Sequence, residues 1–253
     1  MPARQPAGLP PPPVVQRIRL RYTKRGRLRF ASHRDLARAF ERALRRAGVP
    51  MAYSAGFTPH PRISYAGAAP TGVASEAEYL EIGLQASATD LNELLERLNA
   101  ALPEGVDVLE AVEASAGGLA GRLEASLWRV DFADLTGSDL QPLVDGLLGR
   151  AQLAVERLTR DGRRTVDVRS AILKASVDMP PNAGHAIMEV VVRQATPAVR
   201  PDDIVAALRV VAGLAHDAPQ WSYQAMRVAQ GPLDDTGAVG DPLAADRLRR
   251  VTS

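Results

Sequence analysis

Along residues 14–113 the apolar positions change period repeatedly, and each change predicts an element. Val15, Arg17, Arg19 and Arg21 alternate with Gln16, Ile18, Leu20 and Tyr22, the period of two that marks a half-buried strand, here with one face bearing arginine. Residues 24–27, around Gly26, turn the chain into 28–31. The period then lengthens. Leu36, Phe40, Ala43, Leu44 and Ala47 fall on one helical stripe, and Arg34, Arg38, Arg42 and Arg45 fall on another. Ser32 is placed to cap this helix with Asp35 at the capping-box position, Gly48 ends it, and Pro50 bars its return. Two short β-like pieces, MAYS and RISYA, follow on either side of a stiff GFTPHP segment. SEAEYLEIGL at 75–84 alternates as another strand, Thr89 or Asp90 caps a second amphipathic helix running through Leu102, and 106–112 supplies a last strand.

The same order is expected again downstream of a small, glycine-rich linker at 114–122. Residues 123–132 read as a strand and 138–148 as a helix; 153–159 and 164–168 flank Asp161-Gly162, a strong hairpin signal. Residues 185–195 alternate as a strand, Arg200-Pro201-Asp202-Asp203 opens a helix that runs to Gly213, and 221–228 closes the set. The expected fold class is therefore α+β, with two tandem ferredoxin-like domains at 14–113 and 123–230, each an antiparallel sheet with helices packed on one face. Six prolines in residues 1–13 predict a disordered, polyproline-like arm, and the Gly, Pro and Asp content of 231–253 predicts a flexible tail with at most a turn of helix at 243–249.

Composition narrows the chemistry. The chain of 253 residues contains no cysteine, which excludes disulfides, thiolate zinc sites, a cysteine nucleophile and a cysteine-held iron–sulfur cluster. No apolar run approaches the length of a secretion signal or of a membrane span, so a cytoplasmic protein with no membrane partner is expected. Aromatic residues make up only 4%, which argues against a platform of stacked rings and leaves charge and shape to carry any nucleic-acid contact. The net charge of +2 hides an uneven distribution, because residues 17–62 hold 13 Lys and Arg against Asp35 and Glu41 alone. A field of that sign attracts polyanions, of which nucleic acid is the commonest.

The candidate nucleic-acid contacts are accordingly Arg17, Arg19, Arg21, Lys24, Arg27, Arg34, Arg38, Arg42, Arg45 and Arg62, with Arg29 nearby. The bland alternative is a solvated basic face. Two histidines are candidate catalytic groups. His33 follows the cap at a helix start, where outward N–H groups favour an anion; His60 sits between Pro59 and Pro61, which stiffen its backbone. Ser32, Ser54, Ser64 and Gly72 are candidates for positioning an anion or substrate, and Glu78 is a candidate partner for a histidine or, more plainly, for a neighbouring arginine. Arg163, Arg164, Asp167 and Arg169 cluster on one stretch of the second half. His185 and His216 have no partner at metal-ligand spacing, so neither a metal nor any other cofactor is expected.

The stretch from LRFASHRDLARAFERALRRAG through VPMAYSAGFTPHPRISYAGAAPTG to EAEYLEIGL resembles the signature of a bacterial radical-SAM-associated family of unknown function, and GRRTVDVRSAIL resembles its weaker second motif. Members of that family occur fused to, or separate from, cobalamin-binding radical SAM proteins. Gly67-Ala68-Ala69 departs from the bulkier residues the family carries before Pro-x-Gly. The resemblance implies a radical SAM partner in a separate chain, since this one has no cysteine for the cluster. The expected function is an RNA-binding accessory protein in RNA modification or processing. The alternatives are a metal-independent endoribonuclease using histidine acid–base chemistry, by architectural analogy with CRISPR repeat-processing enzymes, and a scaffold that docks an acidic protein.

Overall fold

The structure, a computed structural model, describes residues 12–87, 90–159, 162–178, 185–215 and 217–247. The chain is α+β and forms two compact units, one of residues 1–121 together with 242–253 and one of residues 122–241. The proline-rich residues 1–11, Thr89, Asp161 and His216 lie outside the described residues.

In the first unit the order is β1 (Gln16–Lys24), α1 (His33–Arg46), β2 (Ile63–Ala66), β3 (Ala74–Leu84), α2 (Leu91–Ala101) and β4 (Val108–Glu113). A 3-10 turn at Gly26–Phe30 leads into α1. The sheet runs β4-β1-β3-β2 with every pair antiparallel, and the register sets Ile18 opposite Ile82 and Leu20 opposite Leu80. Those residues belong to one buried cluster with Phe40 and Leu44 of α1 and Leu94 and Leu98 of α2, so both helices cover the same face. Asp90, rather than Thr89, caps α2 by accepting the Asn92 and Glu93 N–H groups. The MAYS piece does not become a strand. Met51 and Tyr53 make single bridges to Leu84 and Pro61, because the proline-rich loop that follows leaves no continuous partner for a ladder.

The second face of this sheet departs from expectation. The arginines of β1 were expected to face solvent, yet Arg19 is 1% exposed. Its Nε donates to Glu81 at 3.0 Å, Nη1 donates to both carboxylate oxygens of Asp246 at 2.8 and 2.9 Å, and Nη2 donates to the Gly117 carbonyl. Asp246 also accepts the Ser115 N–H at 2.8 Å, and Arg247 pairs with Glu110. The segment expected as a flexible tail therefore returns as a short helix, α5 (Ala244–Arg247), with Leu243 buried, and roofs the arginine-bearing face. A buried guanidinium requires charge and hydrogen-bond partners, and the tail supplies them.

The second unit contains β5 (Ala125–Phe132), α3 (Gly137–Leu148), β6 (Ala154–Thr159), β7 (Gly162–Asp167), β8 (Ile172–Asp178), β9 (Ala186–Arg193), α4 (Pro201–Val211) and β10 (Tyr223–Gly231). Its sheet order is β10-β5-β9-β8, again antiparallel throughout, while β6 and β7 form the expected hairpin as a separate sheet. The strand that pairs beside β9 is thus ILKASVD at 172–178, which the hydrophobic pattern did not reveal because a register shift between Ile172 and Lys174 interrupts its alternation. The hairpin stands off the sheet because little of it is apolar on both faces: Val155 and Val166 are buried, whereas Leu158 is 81% exposed. Arg157 pins it through an ion pair to Asp203 at the start of α4. Among the described residues no helix is long and apolar enough to cross a membrane.

Replacing Asp246 with Ala leaves Arg19 buried with one carboxylate partner fewer, so a loss on the order of 3 kcal/mol is expected. Urea unfolding of the full chain measures it, and an unchanged midpoint would show that α5 does not hold the sheet.

Candidate functional site

Helix α1 is the element on which the candidate site is built. Ser32 caps it: its Oγ accepts the Asp35 N–H at 3.2 Å, and the Asp35 carboxylate accepts the Ser32 N–H and hydroxyl at 3.3 and 2.7 Å. Leu36, Phe40, Ala43 and Leu44 are buried against the sheet. With 3.6 residues per turn, that stripe turns Arg34, Arg38, Arg42, Arg45 and Arg46 outward, and all five are exposed. Among the described residues none of their side chains makes a hydrogen bond or ion pair.

Several of the other basic residues make contacts within the unit. Arg17 pairs with Glu81 at 2.9 Å, and Arg21 donates from Nε to the Glu76 carbonyl at 3.0 Å. Lys24 is 1% exposed and donates to the Pro70 carbonyl at 3.0 Å. Arg25 is paired with Glu76 and stands 3.4 Å from Asp107. Arg19 and Lys24 are therefore corrected from nucleic-acid contacts to structural groups, since burial removes them from any phosphate. Arg27 and Arg62 remain exposed, Arg62 donating from Nε to the Tyr53 carbonyl at 3.4 Å. The guanidinium of Arg29 lies 4.7 Å over the ring of Phe30, which is 60% exposed.

The Pro-His-Pro corner forms a built loop. Ser54 N–H donates to the His60 carbonyl at 2.9 Å and Ser54 Oγ accepts the His60 N–H at 3.0 Å, so Ser54 fixes the backbone of His60 from both sides. Arg62 N–H donates to the Ala52 carbonyl, and Ala52 N–H to that of Gly83, which ties the loop to the end of β3. A cavity of about 280 Å³ opens between this loop and the C-terminal half of α1, lined by Glu41, Leu44, Arg45, Val49, Met51, Tyr53, Pro59, His60 and Pro61. Glu41, Arg45, Tyr53 and His60 give it a mixed polar and apolar lining.

The two histidines do not meet there. The ring of His33 stands edge-on to Tyr65 of β2 at 4.8 Å, whereas α1 contributes to the His60 cavity from Glu41 onward, about 12 Å along the helix axis from His33 at 1.5 Å per residue. Glu78 serves neither histidine: it is 1% exposed and its carboxylate accepts the Ala69 N–H at 3.1 Å. Its proposed role in acid–base work is corrected to holding the 69–70 loop. Gly72 has a positive φ of 90° and donates its N–H to the Arg29 carbonyl at 2.7 Å, a turn position rather than an anion cradle. Ser64 is exposed on β2. In the second unit Arg163 pairs with Glu156, and Arg169 donates to the Leu148 and Ile172 carbonyls, so these two serve the hairpin and its base, while Arg164 is exposed on β7. Among the described residues no group of His, Asp or Glu is placed to hold a metal ion.

Sequence reasoning missed Glu41, Met51 and Tyr53 as neighbours of His60, and Tyr65 as the neighbour of His33. Burial, with the Glu41 carboxylate adding to it, pushes the Tyr65 hydroxyl above the usual phenol range, and that hydroxyl is buried with no hydrogen-bond partner among the described residues.

Residues 17–201 match a family model described as an uncharacterized protein conserved in bacteria (DUF2344). No curated protein matches the chain.

The Ser32–Asp35 cap makes a pH-dependent prediction. Hydrogen bonds from the Ser32 hydroxyl and N–H hold the Asp35 carboxyl below its ordinary 3.8, so the stability it contributes is present above that value and is lost as pH falls through the lowered one. Ser32→Ala is expected to cost about 1 kcal/mol near neutrality. The gap between the urea midpoints of the two proteins should narrow as the medium is acidified, leaving the part due to the Asp35 N–H bond to Ser32 Oγ; a gap independent of pH would show that the reciprocal bond is not formed.

Proposed function

The chain belongs to this family of uncharacterized bacterial proteins, and from its site we propose that it is an RNA-binding protein that engages RNA through the outward face of α1. One observation carries the reading: Arg34, Arg38, Arg42, Arg45 and Arg46 form an exposed row on α1 whose side chains make no hydrogen bond or ion pair among the described residues, while Arg19 and Lys24 are buried and Arg17, Arg21 and Arg25 bond to Glu81 or Glu76. Unpaired arginine heads on one rigid helix suit phosphate, which accepts their forked N–H donors. We read each unit as ferredoxin-like, since each has an antiparallel sheet in which the first and third main-sheet strands are central. The RNA would be presented to a radical SAM enzyme in another chain, in the cytoplasm; with no cysteine in this chain, the cluster would have to be held by that partner.

The endoribonuclease reading keeps less support, because it needs a second group beside the histidine and the 33 and 60 positions are held apart. It survives only through His60 with Arg45 and Glu41 around one cavity. RNA cleavage that persists unchanged in His60→Ala would remove it.

RNA binding should be steeply salt dependent. Reversing Arg38, Arg42 and Arg45 to Glu should weaken it across all sequences and flatten the plot of log affinity against log salt by about one per arginine. Filter binding across a salt series measures both. Affinity and slope that match the parent protein would overturn the reading, as would binding that is undetectable at low salt. A radical SAM partner should co-purify from cells whether or not the lysate is treated with nuclease; loss of every such partner in both conditions would leave RNA binding without that association.

A further inference from the structure

The overall scarcity of aromatic residues conceals where the exposed ones are. Among the described residues the aromatic side chains that stand out as exposed are Phe30, Tyr53 and Phe57, at 60%, 40% and 77%, and all three flank α1 in the chain. Phe30 ends the turn before the helix, beneath the Arg29 guanidinium. Tyr53 and Phe57 belong to the loop that ends in Pro59-His60-Pro61, and Tyr53 lines the same cavity as His60. Leaving two large rings in water on one short loop gives up burial that the fold would otherwise gain.

We infer that the cavity between this loop and α1 receives one unpaired base of the RNA, stacked on Tyr53 and His60, while Arg45 and its neighbours along α1 hold the adjoining phosphates. This inference rests on the RNA-binding reading and specifies what that site recognises. Three features support a base rather than a phosphate inside the cavity. The lining mixes the apolar Leu44, Val49 and Met51 with the polar Glu41, Arg45, Tyr53 and His60, which suits a base, with its flat apolar faces and polar edge. Glu41 is the one acid in the lining and repels phosphate, but its carboxylate accepts from the exocyclic amine of adenine, cytosine or guanine, a group uracil lacks. The two-sided hold of Ser54 on His60 fixes the loop before any ligand arrives, so little ordering is required on binding. Bases in a duplex are stacked on one another and cannot enter, whereas loops and bulges present bases that can be splayed out and stacked on side chains.

The test compares a stem–loop RNA, carrying a fluorescent adenine analogue in its loop, with the blunt duplex of its stem, using the full chain. The stem–loop should bind about tenfold more tightly, within the range that stacking of one base on an aromatic side chain supplies, and the analogue should be quenched or shifted on binding. Tyr53→Ala should erase both the preference and the spectral change and leave duplex affinity intact; Tyr53→Phe, which keeps the ring, should retain them. A loop of uridines alone should bind more weakly than the adenine-bearing loop, and Glu41→Gln should narrow that difference. Equal affinity for stem–loop and duplex, or a preference that survives Tyr53→Ala, would overturn the base pocket while leaving RNA binding through α1 standing. Equal binding of the uridine loop would overturn the assignment of an amine-bearing base. Absence of binding to either RNA at low salt would instead bring down the RNA reading itself.

Discussion

The seating of α1 on its sheet is the interaction from which the candidate site follows. Phe40 and Leu44 reach a layer made by Ile18, Leu20, Leu80 and Ile82, and Phe40 meets the ring of Tyr22 edge-on at 4.7 Å. Each fully buried side chain of this size contributes roughly 1.5–3 kcal/mol. That contribution fixes the rotation of the helix about its axis. Once the apolar stripe is committed to the sheet, the arginines have no choice of direction: they face outward as a rigid row. The C-terminal half of the same helix then forms one wall of the His60 cavity, with Leu44 serving both the core and the cavity floor.

Burial and charge divide the basic residues into two populations with different physics. Arg19 and Lys24 of β1 are buried, and a cation there persists only where protein groups replace the lost water, while Arg17 at the start of the strand is exposed. Arg19 accordingly has Glu81 and Asp246. The arginines of α1 lie on the surface, where hydration alone satisfies them and no acid is required. The local excess of positive charge read from residues 17–62 is therefore a mixture: burial withdraws Arg19 and Lys24, whereas the row on α1, with the exposed Arg27 and Arg62, is open to an external anion.

The division reshapes the functional reading. A basic patch spread over strand and helix would suit any polyanion. A single row of arginines running toward a loop with exposed rings and a small cavity of mixed lining would, on the proposed reading, be more selective, because the row would supply affinity without sequence preference and the cavity a shape that only certain bases fill. The separation of His33 from His60 has the opposite effect on the catalytic reading. General acid–base chemistry on one bond needs its groups within hydrogen-bond reach of a common substrate atom.

Periodicity and local chemistry were enough to place β1, α1, β3 and α2, the Ser32–Asp35 box and the β6–β7 hairpin, because each depends on residues within a few positions of one another. The outward row of α1 was legible for the same reason, since helical spacing alone sorts Arg34, Arg38, Arg42 and Arg45 from Phe40 and Leu44. What lay beyond reach depended on contacts distant in the chain. The burial of Arg19 is decided by Asp246, 227 positions away, in a segment whose Gly, Pro and Asp content read as a loose tail. The cavity at His60 is decided by where α1 comes to rest against the 51–61 loop, and Tyr53 and Glu41 become neighbours only through that packing. A strand face bearing arginine looks the same in sequence whether water or another segment covers it; only the tertiary structure decides which, and with it which charges are left to bind something else.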